Sequence, residues 1–262
     1  MKKDISYEVI ESSVSPLPNG FLARLPEIFA CEGKTIYKGR NEIKIFTVDS
    51  RTVCVKKYGI PPFLNRILYS WSWRVPKAKR TYENAAKILE RGFKTPAQWG
   101  YVIVRQNGWI GESYSVGEFV ENVRTVGQDK QDEKLVRAFA RYTADLHAKG
   151  LMHRDYILNN ILYTHDEKGY DFTLIDVNRF VFQNKPIRGF LRSVNLMQPF
   201  NNSNELKRFV SAYEEEVALP GMLVPRVVRF RWWRNRYSQL KRLLKKIPGA
   251  KKIAPKRAKP RA

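Results

Sequence analysis

The sequence has little cysteine, little histidine and no long apolar run. Its 262 residues contain two cysteines, Cys31 and Cys54, and three histidines. Neither cysteine belongs to a CxxC motif or a Cys/His cluster, so neither a zinc site nor a disulfide framework is indicated, and free thiols are expected. No stretch approaches the roughly 18–20 apolar residues needed to span a bilayer. The opening MKKDISYEVIE carries Asp4, Glu8 and Glu11 and lacks the apolar core of a signal peptide. These features lead to the expectation of a soluble or peripheral protein. Negative charge is missing altogether from the last segment. Gly221 to Ala262 holds fifteen Lys or Arg and no Asp or Glu, so +15 of the net +23 lies there and the remaining +8 on residues 1–220. Such a surplus implies an anionic partner: phospholipid, nucleic acid or a polyanionic glycan.

The most informative stretch runs from Leu151 to Phe180, LMHRDYILNNILYTHDEKGYDFTLIDVNRF. It holds His153-Arg154-Asp155, then Asn160, then Asp176 at the end of the apolar run Phe172 to Ile175. Phosphoryl transfer needs a carboxylate near the attacking hydroxyl and oxygen ligands that hold Mg²⁺ against the nucleotide phosphates. A loop with Asp155 at one end and Asn160 at the other can face both partners, and a short hairpin can return Asp176 to the same metal. The spacing matches the catalytic loop and metal-binding strand of protein-kinase-like phosphotransferases. It makes Asp155 the candidate catalytic base and Asn160 and Asp176 the candidate metal ligands.

Upstream pieces fall in a compatible order. Residues 1–30, with prolines at 16, 18 and 26, read as an irregular leader. Three short strands follow, over Thr35–Tyr37, Glu42–Phe46 and Arg51–Lys57. The turn between the first two has one glycine, Gly39, a weak candidate for covering phosphates. Val53-Cys54-Val55-Lys56 has the form apolar-small-apolar-Lys, so Lys56 is the candidate phosphate clamp, with Lys57 as fallback on the opposite strand face. Ile60 to Val75, rich in aromatics and proline, is left open between packing on the first lobe and contact with membrane or substrate. Lys77 to Arg91 reads as a helix with Tyr82, Ala85, Ala86 and Leu89 on one stripe. Glu83, or else Glu90, could pair with Lys56. Trp99–Arg105 and Ser113–Val120 read as a strand pair ending in Gly117-Glu118-Phe119-Val120. The backbone of Glu118 and Val120 is there placed to bond an adenine edge.

Glu133 to Lys149 reads as a helix closed by Gly150, with Leu135, Ala138, Phe139, Tyr142 and Leu146 on its core stripe. After Asp176 comes Val177-Asn178-Arg179, and only about 25 residues precede the next helix, Asn204–Val217. A full peptide-docking segment does not fit there, which favours a small molecule or glycan as acceptor. Arg188 and Arg192 could meet an anionic acceptor. Pro225 to Ile247 reads as a basic helix with Trp233, Tyr237, Leu240, Leu244 and Ile247 at helical spacing, suited to an anionic membrane surface. The last dozen residues read as disordered.

With these residues placed, the chain resembles the lipopolysaccharide kinase family, the Kdo and heptose kinases of the inner core. The resemblance runs from about Lys34 to Val217 and is strongest at HRDYILNNIL and LIDVNRF. It implies an α+β, protein-kinase-like two-lobed fold, with a small antiparallel-sheet N-lobe over residues 1–120 and a mostly helical C-lobe over 121–220. Residues 221–262 form the basic segment. It further implies ATP with Mg²⁺, a lipopolysaccharide-core or lipid-linked sugar hydroxyl as acceptor, and work at the cytoplasmic face of the inner membrane. The segment 225–262 is the expected membrane contact, and no specific nucleic acid is expected. The alternatives are a kinase-like enzyme acting on a protein or a soluble small molecule, and a non-catalytic nucleic-acid binder built on the basic tail.

Overall fold

In a computed structural model, residues 4–244 are described. The first lobe is a six-stranded antiparallel sheet made of β1 (Ile5–Glu11), β2 (Lys34–Lys38), β3 (Asn41–Val48), β4 (Arg51–Tyr58), β5 (Gln98–Gln106) and β6 (Trp109–Glu118). Its spatial order is β1-β5-β6-β4-β3-β2. Three helices accompany it: α1 (Leu25–Cys31), α2 (Phe63–Ser70) and α3 (Lys77–Glu90). The second lobe holds β7 (Arg124–Thr125), α4 (Glu133–Ala148), β8 (Leu151–His153), β9 (Ile161–Asp166), β10 (Gly169–Leu174), β11 (Phe180–Phe182), α5 (Gly189–Leu196), α6 (Ser203–Glu216) and α7 (Leu223–Leu244).

The sheet follows from alternation. On β4, Val53 and Val55 are buried beneath the sheet while Cys54 and Lys56 turn to the other face. The leader is irregular only in its middle, over residues 12–24; a strand precedes that stretch and a helix follows it. β1 pairs with β5 from Ile5↔Gln106 to Glu11↔Gly100, and Pro26 opens α1 at a position where its missing N–H costs nothing. β1 escaped the sequence pattern because it is an edge strand, with almost every side chain exposed and no buried face to enforce alternation. Ile60–Val75 resolves into α2, against β6.

α3 forms where expected, but its buried face is Ala78, Thr81, Ala85 and Ile88, whereas Ala86 and Leu89 are exposed. The stripe is rotated because the helix must present a narrow, small-residue face to β5 and β6. α4 is capped by Asp132, whose side chain accepts from the N–H groups of Lys134 and Leu135. It ends at Gly150, with φ 74, where a Cβ would stand 2.2 Å from the carbonyl oxygen of Gln183. α4 packs on α6 through Phe139 stacked on Phe209, ring centroids 5.2 Å apart, worth about 0.5–1.5 kcal/mol beyond its area. The stretch between Asp176 and α6 is not a plain connection: it contains β11 and α5.

α7 lies on α5 and α6 through its first turns, with Leu223 and Val227 buried. The Arg231 guanidinium donates to the carbonyls of Met197, Phe200 and Asn201. The described part of the sequence-predicted helix Pro225–Ile247 is thus half docked; the segment from 245 onward lies outside the described residues.

Candidate active site

The cleft between the lobes is built from β4, the start of α3, the hinge after β6, and the two loops that follow β8 and β10. Lys56 reaches across the cleft and donates to Asp176 Oδ1 at 2.6 Å. Burial alone would lower the pKa of Lys56, but Tyr58 and Asp176 hold it above its ordinary value. Burial alone would raise that of Asp176, yet Lys56, His153 and the Asn178 amide hold it below the usual carboxylate range. Asp176 has φ 55, a left-handed conformation that costs a non-glycine residue energy and concentrates at functional sites.

The loop carrying Asp155 is locked to the loop carrying Asp176. The backbone N–H of Asp155 donates to His153 Nδ1 at 3.0 Å, so Nδ1 is the acceptor and Nε2 holds the proton that reaches the Ile175 carbonyl. Burial lowers the His153 pKa, which keeps the ring neutral in this role. Asn160 Nδ2 donates to the Asp155 carbonyl at 2.9 Å, and the Ile175 N–H donates to the Asn160 carbonyl at 3.0 Å. Behind the loop, His147 lies buried between the Tyr213 hydroxyl and the Asn195 amide oxygen, each at 2.9 Å. Asn195 Nδ2 then donates to the His153 carbonyl at 2.7 Å. A buried polar chain therefore runs from α6 through α4 and α5 to the loop.

Two cavities open from this centre. One, of about 450 Å³, is lined by Ile43, Cys54, Lys56, Leu162 and Ile175, with Glu118, Phe119 and Val120 at its far edge and Asn160 and Asp176 at its near edge. Its size and apolar walls suit a nucleotide base. Burial pushes the Cys54 thiol up to about 11, so it serves as neutral wall. At the edge, Glu118 N–H donates to the Ala97 carbonyl at 2.8 Å, and the Val120 N–H has no partner among the described residues. Gly117 permits this: a Cβ there would lie 2.3 Å from the Ala97 carbonyl oxygen. The second cavity, of about 400 Å³, is reached past Asp155, and the two share Asn41, Tyr58 and Asp176.

Asp155, Asn160, Asp176, Lys56, Glu118 and Val120 thus come to one cleft. Gly39 does not line either cavity; its turn contributes Tyr37 to one, Arg40 to the other and Asn41 to both. The pairing of Lys56 with Glu83 is corrected. Lys56 pairs with Asp176, and neither Glu83 nor Glu90 forms an ion pair among the described residues. The helical rotation of α3 turns Asn84, not Glu83, to the loop that carries Asp176, where its amide donates to the Val177 carbonyl at 2.7 Å. Glu83 instead adds negative field to the Tyr101 hydroxyl. Lys57 is excluded as the clamp: it faces Glu42 and Glu112 on the opposite sheet face. Arg192 is tied to the Ile187 carbonyl and the Tyr213 ring, and neither it nor Arg188 lines a cavity. The cations beside Asp155 are others: Arg40, Arg74, Lys77, Arg80, Arg154 and Arg179. Sequence reasoning passed over Asn178 and the Lys77/Arg80 pair. The available signals were an amide two residues beyond Asp176 and two cations three apart in a helix start free of acids.

A two-lobed fold with this cleft defines a protein-kinase-like phosphotransferase with an alcohol group as acceptor. The chain belongs to the lipopolysaccharide kinase (Kdo/WaaP) family, whose model matches residues 45–213, more than half of it. Among solved structures it is similar to WaaP in complex with acyl carrier protein, at 17% identity and TM-score 0.55, covering 89% of this chain and 99% of that one. At that identity the likeness bears on the fold. No curated protein sequence matches the chain.

Proposed function

We propose that this chain transfers the γ-phosphate of ATP to a Kdo or heptose hydroxyl of the lipopolysaccharide inner core. The observation that carries the reading is the pair of cavities sharing Asn41, Tyr58 and Asp176, with Lys56 on one side and Asp155 on the other. In this reading the base enters the apolar cavity against the Glu118 and Val120 backbone, and Lys56 exchanges Asp176 for phosphate oxygens. Mg²⁺ is ordinarily held by one or two carboxylates plus substrate phosphates; Asn160 and Asp176 fit the protein's share of that set, and the ion would neutralise charge developing on the phosphates. Asp155 orients the acceptor hydroxyl and takes its proton.

The acceptor is lipid-anchored, so the enzyme is proposed to work as a peripheral protein at the cytoplasmic face of the inner membrane. Support comes from α7, whose outer half exposes Trp233, Tyr237, Leu240 and Leu243 among arginines. A carrier protein is a second candidate for that surface, on the strength of the WaaP complex alone.

The test is transfer of labelled phosphate from ATP to purified core lipopolysaccharide. Asp155→Ala is expected to lower turnover about 10²–10⁴-fold with unchanged circular dichroism. Retained turnover removes Asp155 from its role, and labelling of protein with none of the core glycolipid favours a protein acceptor.

A further inference from the structure

The cavity beside Asp155 carries more positive charge than its own carboxylates can balance. Six cations line it, against Asp155 and Asp176. Asp176 is already taken by Lys56 at 2.6 Å, and Asp155 has Arg179 at 3.7 Å. Arg40, Arg74, Lys77, Arg80 and Arg154 have no carboxylate within ion-pair distance among the described residues. Ordinary surface cations can be left so, because water solvates them. Lys77 and Arg80 are not ordinary in that respect. Both are half-buried, and burial first, then neighbouring cations, pushes Lys77 down to about 8 and Arg80 below its usual value. Arg80 Nε is buried with no hydrogen-bond partner, and among the described residues its guanidinium makes one hydrogen bond, a long one of 3.5 Å to the Tyr69 hydroxyl. A charge withdrawn from water with neither counter-ion nor full hydrogen bonding is costly unless something completes it.

The surroundings say what would complete it. Lys77 and Arg80 stand three apart on the first turn of α3, on one face. That turn is preceded by Pro76, has no side-chain cap and contains no acid. The positive end of a fourteen-residue helix therefore adds to the same field. Arg74, brought in by the segment after α2 and held by Asn65 at 2.9 Å, closes the opposite rim.

We propose that this cavity is the acceptor subsite and that Lys77 and Arg80, flanked by Arg74 and Arg40, bind an anionic substituent of the acceptor, a sugar carboxylate or a phosphate ester, beside the hydroxyl presented to Asp155. The proposal rests on the sugar-kinase reading and specifies its substrate: the enzyme selects acceptors already negatively charged near the reacting hydroxyl. α2 and the start of α3 are then specificity elements.

The experiment measures KM for three preparations of core glycolipid: native, with carboxylates reduced to alcohols, and with phosphate esters removed. Each is assayed with the full chain and with Lys77→Gln/Arg80→Gln. A charge-assisted contact to the anion predicts that one of the two neutralised acceptors has a KM about 10- to 100-fold above native for the wild-type chain. Which one does so names the anion. In Lys77→Gln/Arg80→Gln the native acceptor is expected to be equally poor, and neutralisation to cost nothing further. Lys77→Arg, which keeps the charge, is expected to recover most of the affinity, which separates charge recognition from misfolding. Inorganic phosphate titrated by calorimetry should bind the wild-type chain and not the double variant. Equal KM for all three acceptors, or a double variant impaired in nucleotide affinity and not in acceptor KM, overturns the subsite. Absence of transfer to native core by the wild-type chain overturns the sugar-kinase reading itself, and the subsite with it.

Discussion

Lys56 and Asp176 meet across the two lobes in a 2.6 Å ion pair, and each holds the other in its charged form. The pair ties the first lobe to the second and keeps the Asp176 carboxylate ionised.

Replacing Lys56 with Met should therefore do two things. Turnover should fall by about 10²–10³-fold, the usual effect of removing one preorganised cation or donor from a transition state. Melting temperature should also fall, since Asp176 is left part-buried without its counter-ion. Lys56→Arg is not expected to rescue activity, because the planar guanidinium does not fit a site shaped for an ammonium. Steady-state kinetics and calorimetry check both effects.

His147 sets a pH dependence. Burial holds its folded-state pKa at about 4, below the ordinary 6.5. Above pH 6.5 both folded and unfolded forms are neutral and the contribution is complete. As pH falls below 6.5 the unfolded chain takes up a proton that the folded chain refuses until about 4, so stability is lost across that window. The full loss is about 3 kcal/mol. Urea unfolding of wild type and His147→Gln from pH 7 to 4 should show a steeper decline for wild type.

Asn195 should matter to catalysis from a distance. It touches no cavity, yet it accepts from His147 and donates to the His153 carbonyl. Asn195→Leu leaves two buried polar groups unsatisfied, at about 1–3 kcal/mol each. With about 2–4 °C per kcal/mol for a chain of this size, the melting temperature should drop by several degrees or more. Reduced turnover with an unchanged acceptor KM is expected, because the loop bearing Asp155 loses its rear support.

Membrane association should reside in the outer half of α7. A cut near Gly221 would strip Leu223, Val227 and Arg231 from the second lobe and confound the result. A chain ending at Arg236, and the full chain with Trp232→Ser/Trp233→Ser, should both lose sedimentation with anionic liposomes. Equal binding by all forms would dismiss α7 as an anchor.

Much of the centre was legible in the sequence because its chemistry is local. Asp155 and Asn160 share one short loop, and Asp176 is returned by a single hairpin, so their spacing in the chain constrains their distance in space. β2 to β4, α4 and α6 were equally readable: β4, α4 and α6 each bury a face, and β2, exposed along its length, was marked only by the turn that joins it to β3. β1 was not, as an exposed edge strand leaves no pattern, and α5 was hidden in a stretch with neither caps nor a long stripe.

By itself the sequence determined the type of chemistry, the order of the elements around the catalytic loop and the imbalance of charge toward the last segment. Those depend on residue identity and short-range period. Only the tertiary structure decided the partner of Lys56, the rotation of α3 that turns Asn84 rather than Glu83 inward, and the gathering of Arg40, Arg74, Lys77 and Arg80 beside Asp155. Each of these depends on how a helix is rolled against a sheet, or on which distant loops share a cavity. Packing of whole surfaces fixes such relationships, and no short window of residues records them.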